Sequence, residues 1–151
     1  MSQPVVRADS PPSLSTESGS VGEGVSSTRR WRILVVEDVP SLQRLLVLML
    51  QKSGHEVLTA DNGLDAIEIV SREALDAVLM DIQMPGLNGL EATRAIRSRE
   101  AGSGRHIPIV AVTAHALTGD ASTCHEAGAD EYLRKPIDLD ELMRVLARLI
   151  E

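Results

Sequence analysis

The sequence predicts a doubly wound α/β fold built on a five-stranded parallel sheet. Five short runs rich in β-branched and other apolar residues alternate with stretches of helical periodicity, in the order βαβαβαβαβα. The runs at 33–36 (ILVV) and 109–112 (IVAV) are continuously apolar, whereas a strand with one solvent-exposed face alternates apolar and polar residues. Such runs are typical of parallel strands covered by helices on both faces, and right-handed crossovers leave few topologies for them.

The five predicted strands are short runs of five or six residues, most of them with high apolar content. In chain order they are Arg32–Val36, Glu56–Ala60, Asp76–Met80, Ile107–Val112 and Asp130–Arg134. Phenylalanine is absent, and the only aromatic residues are Trp31 and Tyr132. The core is therefore expected to consist of Leu, Val, Ile, Ala and Met.

Helical spacing is clearest after the first strand and at the C-terminus. Apolar residues recur there at intervals of three and four, at Leu42, Leu45, Leu46, Met49 and Leu50 and again at Leu139, Leu142, Leu146 and Leu149. Pro40 suits the first turn of a helix. Gly54 and Gly128 suit the position just after a helix end, where φ is often positive.

Length and composition indicate one folded domain with a terminal extension. The chain has 151 residues, 43% of them hydrophobic, and a net charge of −7. No apolar run approaches the roughly 18 residues of a membrane span, and an acidic protein is poorly suited to broad binding of nucleic acid or anionic lipid. The lone Cys124 excludes an intramolecular disulfide, which fits a reducing cytosol. The start MSQPVVRADSPP lacks a secretory signal, so a cytoplasmic protein is expected.

The first 30 residues differ in character from the rest. They contain eight Ser, three Pro and three Gly, and their apolar residues are scattered singly. Such a segment buries too little surface to offset the entropy of ordering it. Residues 1–30 are therefore predicted to be a disordered extension or linker, and residues 31–151 to be the folded domain.

Polar side chains follow the ends of four predicted strands. They are Glu37 and Asp38 after the first strand, Asp81 after the third, Thr113 after the fourth, and Lys135 with Pro136 after the fifth. In open α/β sheets, ligands bind beyond the carboxyl ends of the strands. The sequence therefore predicts that three carboxylates, a hydroxyl and an ammonium group converge at one edge of the sheet.

Three neighbouring carboxylates repel one another, and one lysine cannot neutralise them. A divalent cation that prefers oxygen ligands can neutralise their charge, and the residues therefore indicate a Mg²⁺ site. Zinc is less suited, because the residues supply no thiolate and no paired imidazoles. A carboxylate beside a divalent cation and a lysine can act as a nucleophile toward a phosphoryl group, giving an acyl phosphate.

Four motifs carry a resemblance to the receiver domains of response regulators in two-component signalling. They are VVEDVP (35–40), MDIQMPGLNG (80–89), AVTAHA (111–116) and GADEYLRKPID (128–138), and the similarity covers about residues 32–151. The resemblance implies a flavodoxin-like (βα)5 sandwich with the strand order 2-1-3-4-5.

The resemblance also implies a role for each site residue. Asp81 is implied as the phosphoacceptor, and Asp38, Asp81 and the backbone carbonyl of Gln83 as ligands of Mg²⁺ or Mn²⁺, with Glu37 acting through metal-bound water. Lys135 is implied as the partner of a phosphoryl oxygen, and Thr113 and Tyr132 as the residues that shift on phosphorylation. The Lys135–Pro136 bond is expected to be cis. Glu37 stands where the family more often has Asp.

The expected function is that of a phosphoacceptor signalling module. A histidine kinase or a histidine phosphotransfer protein would supply the phosphoryl group, and the module would catalyse only its own magnesium-dependent phosphorylation and dephosphorylation. Phosphorylation would change a protein-binding surface and could support a homodimer; neither nucleic acid nor membrane is an expected partner. The chain fits a single-domain regulator or the receiver of a hybrid kinase.

Three other functions lack the residues that they need. A phosphatase of the haloacid dehalogenase type uses Asp-x-Asp, but Asp81 is followed by Ile82 and Gln83, so the second acid is missing. A flavin carrier needs a Ser/Thr/Gly-rich phosphate loop after the first strand, where this chain has EDVPSLQ. No G-x-x-x-x-G-K-[ST] motif of a nucleotide hydrolase is present.

The remaining reactive side chains have structural interpretations. His55, His106, His115 and His125 show no metal-ligand spacing and are expected at the surface or in loops. Cys124 is in phase with Ala121 and Ala127 on a predicted helix and is expected to be a small buried hydrophobic residue.

Overall fold

A computed structural model describes residues 30–114 and 120–151, and these residues form a five-stranded parallel sheet with helices on both faces. The strand order is β2-β1-β3-β4-β5, as the resemblance implied. The elements are β1 (Arg32–Val36), α1 (Pro40–Lys52), β2 (Glu56–Ala60), α2 (Gly63–Arg72), β3 (Ala77–Asp81), α3 (Gly89–Glu100), β4 (Ile109–Thr113), α4 (Asp120–Ala127), β5 (Glu131–Arg134) and α5 (Leu139–Ile150). The predicted N-terminal extension, apart from Arg30, and His115 lie outside the described residues.

Two apolar clusters hold the helices to the sheet. On one face, Leu46 and Leu50 of α1 and Leu142 and Leu146 of α5 pack against β-strand residues such as Val35. The other face holds a second cluster, to which α2, α3 and α4 contribute Ala66, Ile67, Ala92, Ile96 and Cys124. Both faces of the sheet are thus covered, which explains why the strands are continuously apolar.

Local sequence signals start and stop the helices. Asn88 and Glu91 form a reciprocal capping box at the start of α3, and Asp138 caps α5 through the backbone N–H of Glu141. Pro40 occupies the first turn of α1, as predicted. Gly54 and Gly128 have φ of 92° and 113°, as expected for glycines that follow helix ends.

Three of the five strands have bounds that differ from the prediction. The third strand ends at Asp81 and excludes Asp76, whose carboxylate accepts a hydrogen bond of 2.7 Å from the backbone N–H of Arg32. The fourth strand starts at Ile109 because Pro108 has no N–H to donate to a ladder, and it extends through Thr113. The fifth starts at Glu131 rather than Asp130. The predicted bounds of the first two strands are confirmed.

The apolar residues of α1 are only partly used by the core. Leu46 and Leu50 are buried, but Leu42, Leu45 and Leu48 are 36%, 53% and 51% exposed. Helix α1 therefore presents leucines to solvent as well as to the sheet.

His55 lies in the loop between α1 and β2, as predicted, but it is not at the surface. His55 is buried, and its ring stacks on the indole of Trp31 with centroids 4.4 Å apart, while its Nδ1 accepts a hydrogen bond from the backbone N–H of Trp31. Stacking on the indole covers one face of the imidazole, which contributes to the burial of His55. His106 and His125 are exposed, and Cys124 is buried, as predicted.

Candidate functional site

The register of the sheet brings the predicted site residues to one edge. Val36 pairs with Met80, so Glu37 and Asp38 leave β1 beside the end of β3. Asp81 pairs with Val112, and the next residue of β4, Thr113, pairs with Arg134. The carboxyl ends of β1, β3, β4 and β5 therefore meet where the sequence predicted.

Three carboxylates form a compact cluster at this edge. One carboxylate oxygen from each of Glu37, Asp38 and Asp81 lies within 4.8 Å of the others. Glu37 and Asp81 are buried, at 1% and 2% exposure, and Asp38 is half-buried. Burial weakens the screening of like charges by water, so the cluster requires positive charge.

Lys135 supplies part of that charge. Its Nζ lies 3.2 Å from Oε1 of Glu37 and 3.4 Å from Oδ2 of Asp81. The residue precedes a cis peptide bond to Pro136, as expected, and its backbone N–H donates to the Thr113 carbonyl. One ammonium group against three carboxylates leaves two negative charges, which one divalent cation would neutralise.

Glu37 is held at the centre of the cluster. Its Oε2 accepts a hydrogen bond of 3.2 Å from the backbone N–H of Val39. Burial raises the pKa of the Glu37 carboxyl above its usual value, and the nearby Asp81 carboxylate raises it further, while the Val39 N–H and the Lys135 ammonium oppose this shift. Its buried Oε1 makes no hydrogen bond to any described residue, although Lys135 lies close to it.

The donor set fits a hard divalent cation. All three clustered groups are carboxylates, and Mg²⁺ prefers oxygen ligands and keeps several of its waters. The buried Glu37 Oε1 pairs with the Lys135 ammonium group but lacks a hydrogen bond from any described residue, which a water of the ion would supply. The cluster therefore suits magnesium or manganese better than zinc.

Asp81 is positioned by its own loop and by the start of α3. Its Oδ1 accepts a hydrogen bond of 3.0 Å from the backbone N–H of Gln83. The first residue of α3, Gly89, packs against the Asp81 backbone so closely that a Cβ there would overlap the Asp81 carbonyl oxygen. The carboxylate is thus directed toward the cluster from a fixed backbone.

The two predicted switch residues lie in different environments. Thr113 is buried at the end of β4, on the same edge as the carboxylates. Tyr132 is 36% exposed and lies on β5, an edge strand of the sheet.

Two glutamines that connect the site loops escaped the sequence analysis. Gln83 was singled out only for its backbone carbonyl, yet its side-chain Oε1 accepts a hydrogen bond of 2.9 Å from the backbone N–H of Ala114, which joins the loops after β3 and β4. Gln43 of α1 donates to the Glu37 carbonyl. The sequence offered one signal for Gln43, because it is a polar residue in the first turns of the helix that follows Glu37 and Asp38.

Comparison with known proteins identifies the family. A family model described as the response regulator receiver domain matches residues 33–147. The chain belongs to this family. Receiver domains are signalling modules, and the acidic cluster at the carboxyl edge of the sheet lies within the matched region.

Relatives of this receiver domain include large sensor kinases and a small protein. The sensor protein GacS of Pseudomonas syringae pv. syringae is 42% identical over 123 residues, which make up 81% of this chain and 14% of GacS. Protein PilH of Pseudomonas aeruginosa is 42% identical over 115 residues, which make up 76% of this chain and 93% of PilH. The receiver domain therefore spans a small part of GacS and nearly all of PilH.

Solved receiver domains share the fold. The receiver domain of the sensor histidine kinase PA1611 from Pseudomonas aeruginosa PAO1 has a TM-score of 0.73 and 42% identity, and the match covers 81% of this chain and 98% of that one. That structure has a magnesium ion coordinated in its active-site cleft. The receiver domain of Saccharomyces cerevisiae Ssk1, crystallised with the histidine phosphotransfer protein Ypd1, has a TM-score of 0.74 and 32% identity, covering 80% and 89% of the two chains.

Within residues 30–114 and 120–151, every helix is too short or too polar to cross a membrane.

Proposed function

We propose that Asp81 of this receiver domain accepts a phosphoryl group from a phosphohistidine of a histidine kinase or a histidine phosphotransfer protein. The observation that carries this proposal is the placement of a buried Asp81 carboxylate beside Glu37, Asp38 and the Lys135 ammonium group. A crowded carboxylate with a lysine at 3.4 Å has the components of a phosphoryl-accepting nucleophile.

The metal site follows from the same cluster. Asp38, Asp81 and the backbone carbonyl of Gln83 would hold Mg²⁺ or Mn²⁺, and Glu37 would contribute through a water molecule. Bound there, the ion would offset negative charge on the transferring phosphoryl oxygens. The support in this chain is the all-oxygen donor set and the buried Glu37 Oε1, which lacks a hydrogen bond within the described part of the chain.

The transfer is a substitution at phosphorus. An Asp81 carboxylate oxygen forms a bond to phosphorus while the bond between phosphorus and the donor's imidazole nitrogen breaks. The electron pair of the broken bond stays on that nitrogen, and the product is an acyl phosphate on Asp81. Lys135 would pair with a phosphoryl oxygen, because its ammonium group already lies beside the accepting carboxylate.

The signal would leave the site through Thr113 and Tyr132. We infer that the Thr113 hydroxyl moves toward the phosphoryl group and that Tyr132 follows, which biases a two-state equilibrium of the α4–β5–α5 surface. Such a module catalyses only its own phosphorylation and dephosphorylation. Ile82 and Gln83 supply no acid for the turnover of an external phosphate ester.

Small phosphodonors test the proposed chemistry without a protein partner. Incubation of the full chain with acetyl phosphate and Mg²⁺ is expected to add one alkali-labile phosphoryl group per chain, and EDTA is expected to prevent it. Intact-mass spectrometry measures the addition. Equal labelling in EDTA, or a phosphoryl group that survives alkali, would contradict an acyl phosphate formed at a metal site.

A partner surface adjoins the site along α1. A groove of about 290 Å³ runs from Glu37 and Lys135 along Leu42, Leu45 and Met49. Leu45 is 53% exposed, and its neighbour Leu48 is 51% exposed, so α1 presents apolar surface without a covering element among the described residues. Apolar groups beside a reactive carboxylate would dock the donor protein with its phosphohistidine facing Asp81.

Substitution of an α1 leucine tests this docking surface. Leu45→Glu is expected to lower the rate of phosphotransfer from a histidine phosphotransfer protein by about tenfold or more, because a buried leucine contact is worth roughly 1.5–3 kcal/mol. The partner used is the phosphotransfer protein that phosphorylates the parent chain fastest when several such proteins are compared. The rate of phosphotransfer is measured by rapid-quench electrophoresis. Labelling by acetyl phosphate should not change.

Leu64 provides a matched control. It is 69% exposed and lies on α2, which packs on the other face of the sheet. Leu64→Glu should leave both reactions unchanged. If Leu45→Glu and Leu64→Glu behave alike toward the partner, α1 is not the docking surface.

We infer that residues 1–30 form an extension or linker ahead of a receiver domain at 31–151, located in the cytoplasm. Kinship with both GacS and PilH is consistent with a receiver of a hybrid kinase or with a single-domain regulator. A phosphorylation-dependent homodimer is a further prediction, which light scattering before and after phosphorylation tests.

A further inference from the structure

We propose that Gln43 is a positioning residue of the metal site, which fixes the backbone that carries Glu37 and Asp38. This inference rests on the proposed function of the carboxylate cluster. It concerns a side chain of α1 that is half-buried and lies five residues after Asp38.

The Gln43 amide contacts the ends of two strands. Its Nε2 lies 3.0 Å from the Glu37 carbonyl oxygen, 3.3 Å from the Ala60 carbonyl oxygen and 2.9 Å from Oδ1 of Asp61. All three partners are acceptors only, so the amide orientation follows from the chemistry, with nitrogen toward them. One side chain thereby ties the end of β1 to the end of β2.

The backbone of Glu37 is held at both of its polar groups. Its N–H donates to the Ala60 carbonyl at 3.1 Å, and its C=O accepts from Gln43. A peptide unit is planar, so a fixed Glu37 carbonyl also fixes the N–Cα bond of Asp38. Gln43 thereby holds the position of the Asp38 Cα, from which the Asp38 side chain leaves the backbone.

The other hydrogen bonds that hold the residues between β1 and α1 are donated by backbone N–H groups. Val39 occupies the N-cap position of α1 and makes no side-chain capping hydrogen bond. The backbone N–H of Val39 instead donates a hydrogen bond to Oε2 of Glu37, so this contact occupies one carboxylate oxygen of the cluster. Without Gln43, the Glu37 carbonyl would lose its side-chain donor, and the Asp38 carboxylate would occupy a wider range of positions.

The neutrality of the amide suits this position. A lysine would add a cation that competes with the metal ion for the carboxylates, and a glutamate would add a fourth negative charge near the cluster. Glutamine donates to the backbone and leaves the net charge of the cluster unchanged. Outer residues that orient metal ligands typically affect metal affinity by about 10–100-fold.

Gln43→Met tests the proposal, because it keeps side-chain length and removes the donor. We expect the Mg²⁺ dissociation constant of the full chain to rise about tenfold, measured by calorimetric titration. The Mg²⁺ concentration for half-maximal labelling by acetyl phosphate should rise equally, while the rate at saturating Mg²⁺ stays near that of the parent. A purely structural role would lower the saturated rate or the melting temperature of the metal-free chain instead.

Gln51→Met is the matched control, since it makes the same change at an exposed position of the same helix. It should leave the Mg²⁺ dissociation constant unchanged. Gln43→Asn keeps an amide on a shorter side chain, and the same measurement is made on it if Gln43→Met does not fold. Its affinity for Mg²⁺ should also be lower than that of the parent chain. An unchanged dissociation constant in a folded Gln43 variant, or an equal loss in Gln51→Met, would overturn the inference. Neither result would affect Asp81 as the phosphoacceptor, which is tested separately by Asp81→Asn.

Discussion

Asp81→Asn is expected to abolish phosphorylation by acetyl phosphate and by any histidine-phosphorylated partner. Asparagine has the shape of aspartate and can accept the same hydrogen bond from the Gln83 N–H, so the loop keeps its conformation. It lacks a carboxylate nucleophile, so no acyl phosphate can form. Intact-mass spectrometry and phosphate-affinity electrophoresis should both show unmodified protein after prolonged incubation.

Two features distinguish this result from unfolding. Because the substitution removes one of three clustered negative charges, the metal-free variant should melt at or above the temperature of the parent chain. Asp140→Asn, at an exposed position in the first turn of α5, should be labelled like the parent. Retained labelling in Asp81→Asn, mapped to another residue, would show that Asp81 is not the phosphoacceptor.

Gly89→Ala is expected to damage both stability and phosphorylation. A Cβ at this position would overlap the Asp81 carbonyl oxygen and lie 2.7 Å from the Ile82 Cα, so the start of α3 and the end of β3 must separate. Overpacking of this kind typically lowers the free energy of unfolding by about 1–3 kcal/mol. Because the contact is with backbone atoms, we expect a loss of about 3 kcal/mol for Gly89→Ala. Displacement of Asp81 by about 1 Å would slow its reaction roughly 100-fold.

Gly86→Ala separates this collision from the general cost of replacing glycine. Gly86 lies in the same loop with φ of 74°, and a Cβ there would have no neighbour within 4 Å. The left-handed backbone should cost about 1–2 kcal/mol, and the labelling rate should stay close to that of the parent. Urea unfolding and acetyl phosphate kinetics on both variants provide the comparison. If Gly89→Ala is no worse than Gly86→Ala, contact with α3 does not position Asp81.

Periodicity and strand-end chemistry predicted most of the fold and the composition of the site. The apolar runs marked β1 and β2 to the residue, because each run ends where polar residues begin. The residues of the site could be predicted without knowing the strand order, because parallel strands end at the same edge of a sheet. They are Glu37, Asp38, Asp81 and Lys135.

Features that depend on specific tertiary contacts could not be predicted in this way. The burial of His55 depends on stacking with Trp31 across 24 residues of sequence, which no local pattern encodes. The exposure of Leu45 was not predictable either, because an amphipathic pattern does not show how much of its apolar face the sheet covers. Gln43 is an ordinary helix residue by sequence, and only its distance to the Glu37 carbonyl indicates a role.

The position of a bound metal ion tests the central claim most directly. Crystals of the full chain grown with Mn²⁺ would show the ion by its anomalous scattering. We expect one strong peak at the carboxyl edge of the sheet, within coordination distance of Asp38, Asp81 and the Gln83 carbonyl oxygen, with water between the ion and Glu37. A cluster without a peak at saturating Mn²⁺, with its carboxylates turned away from one another, would contradict the claim that these acids form a metal-assisted phosphoryl-accepting site.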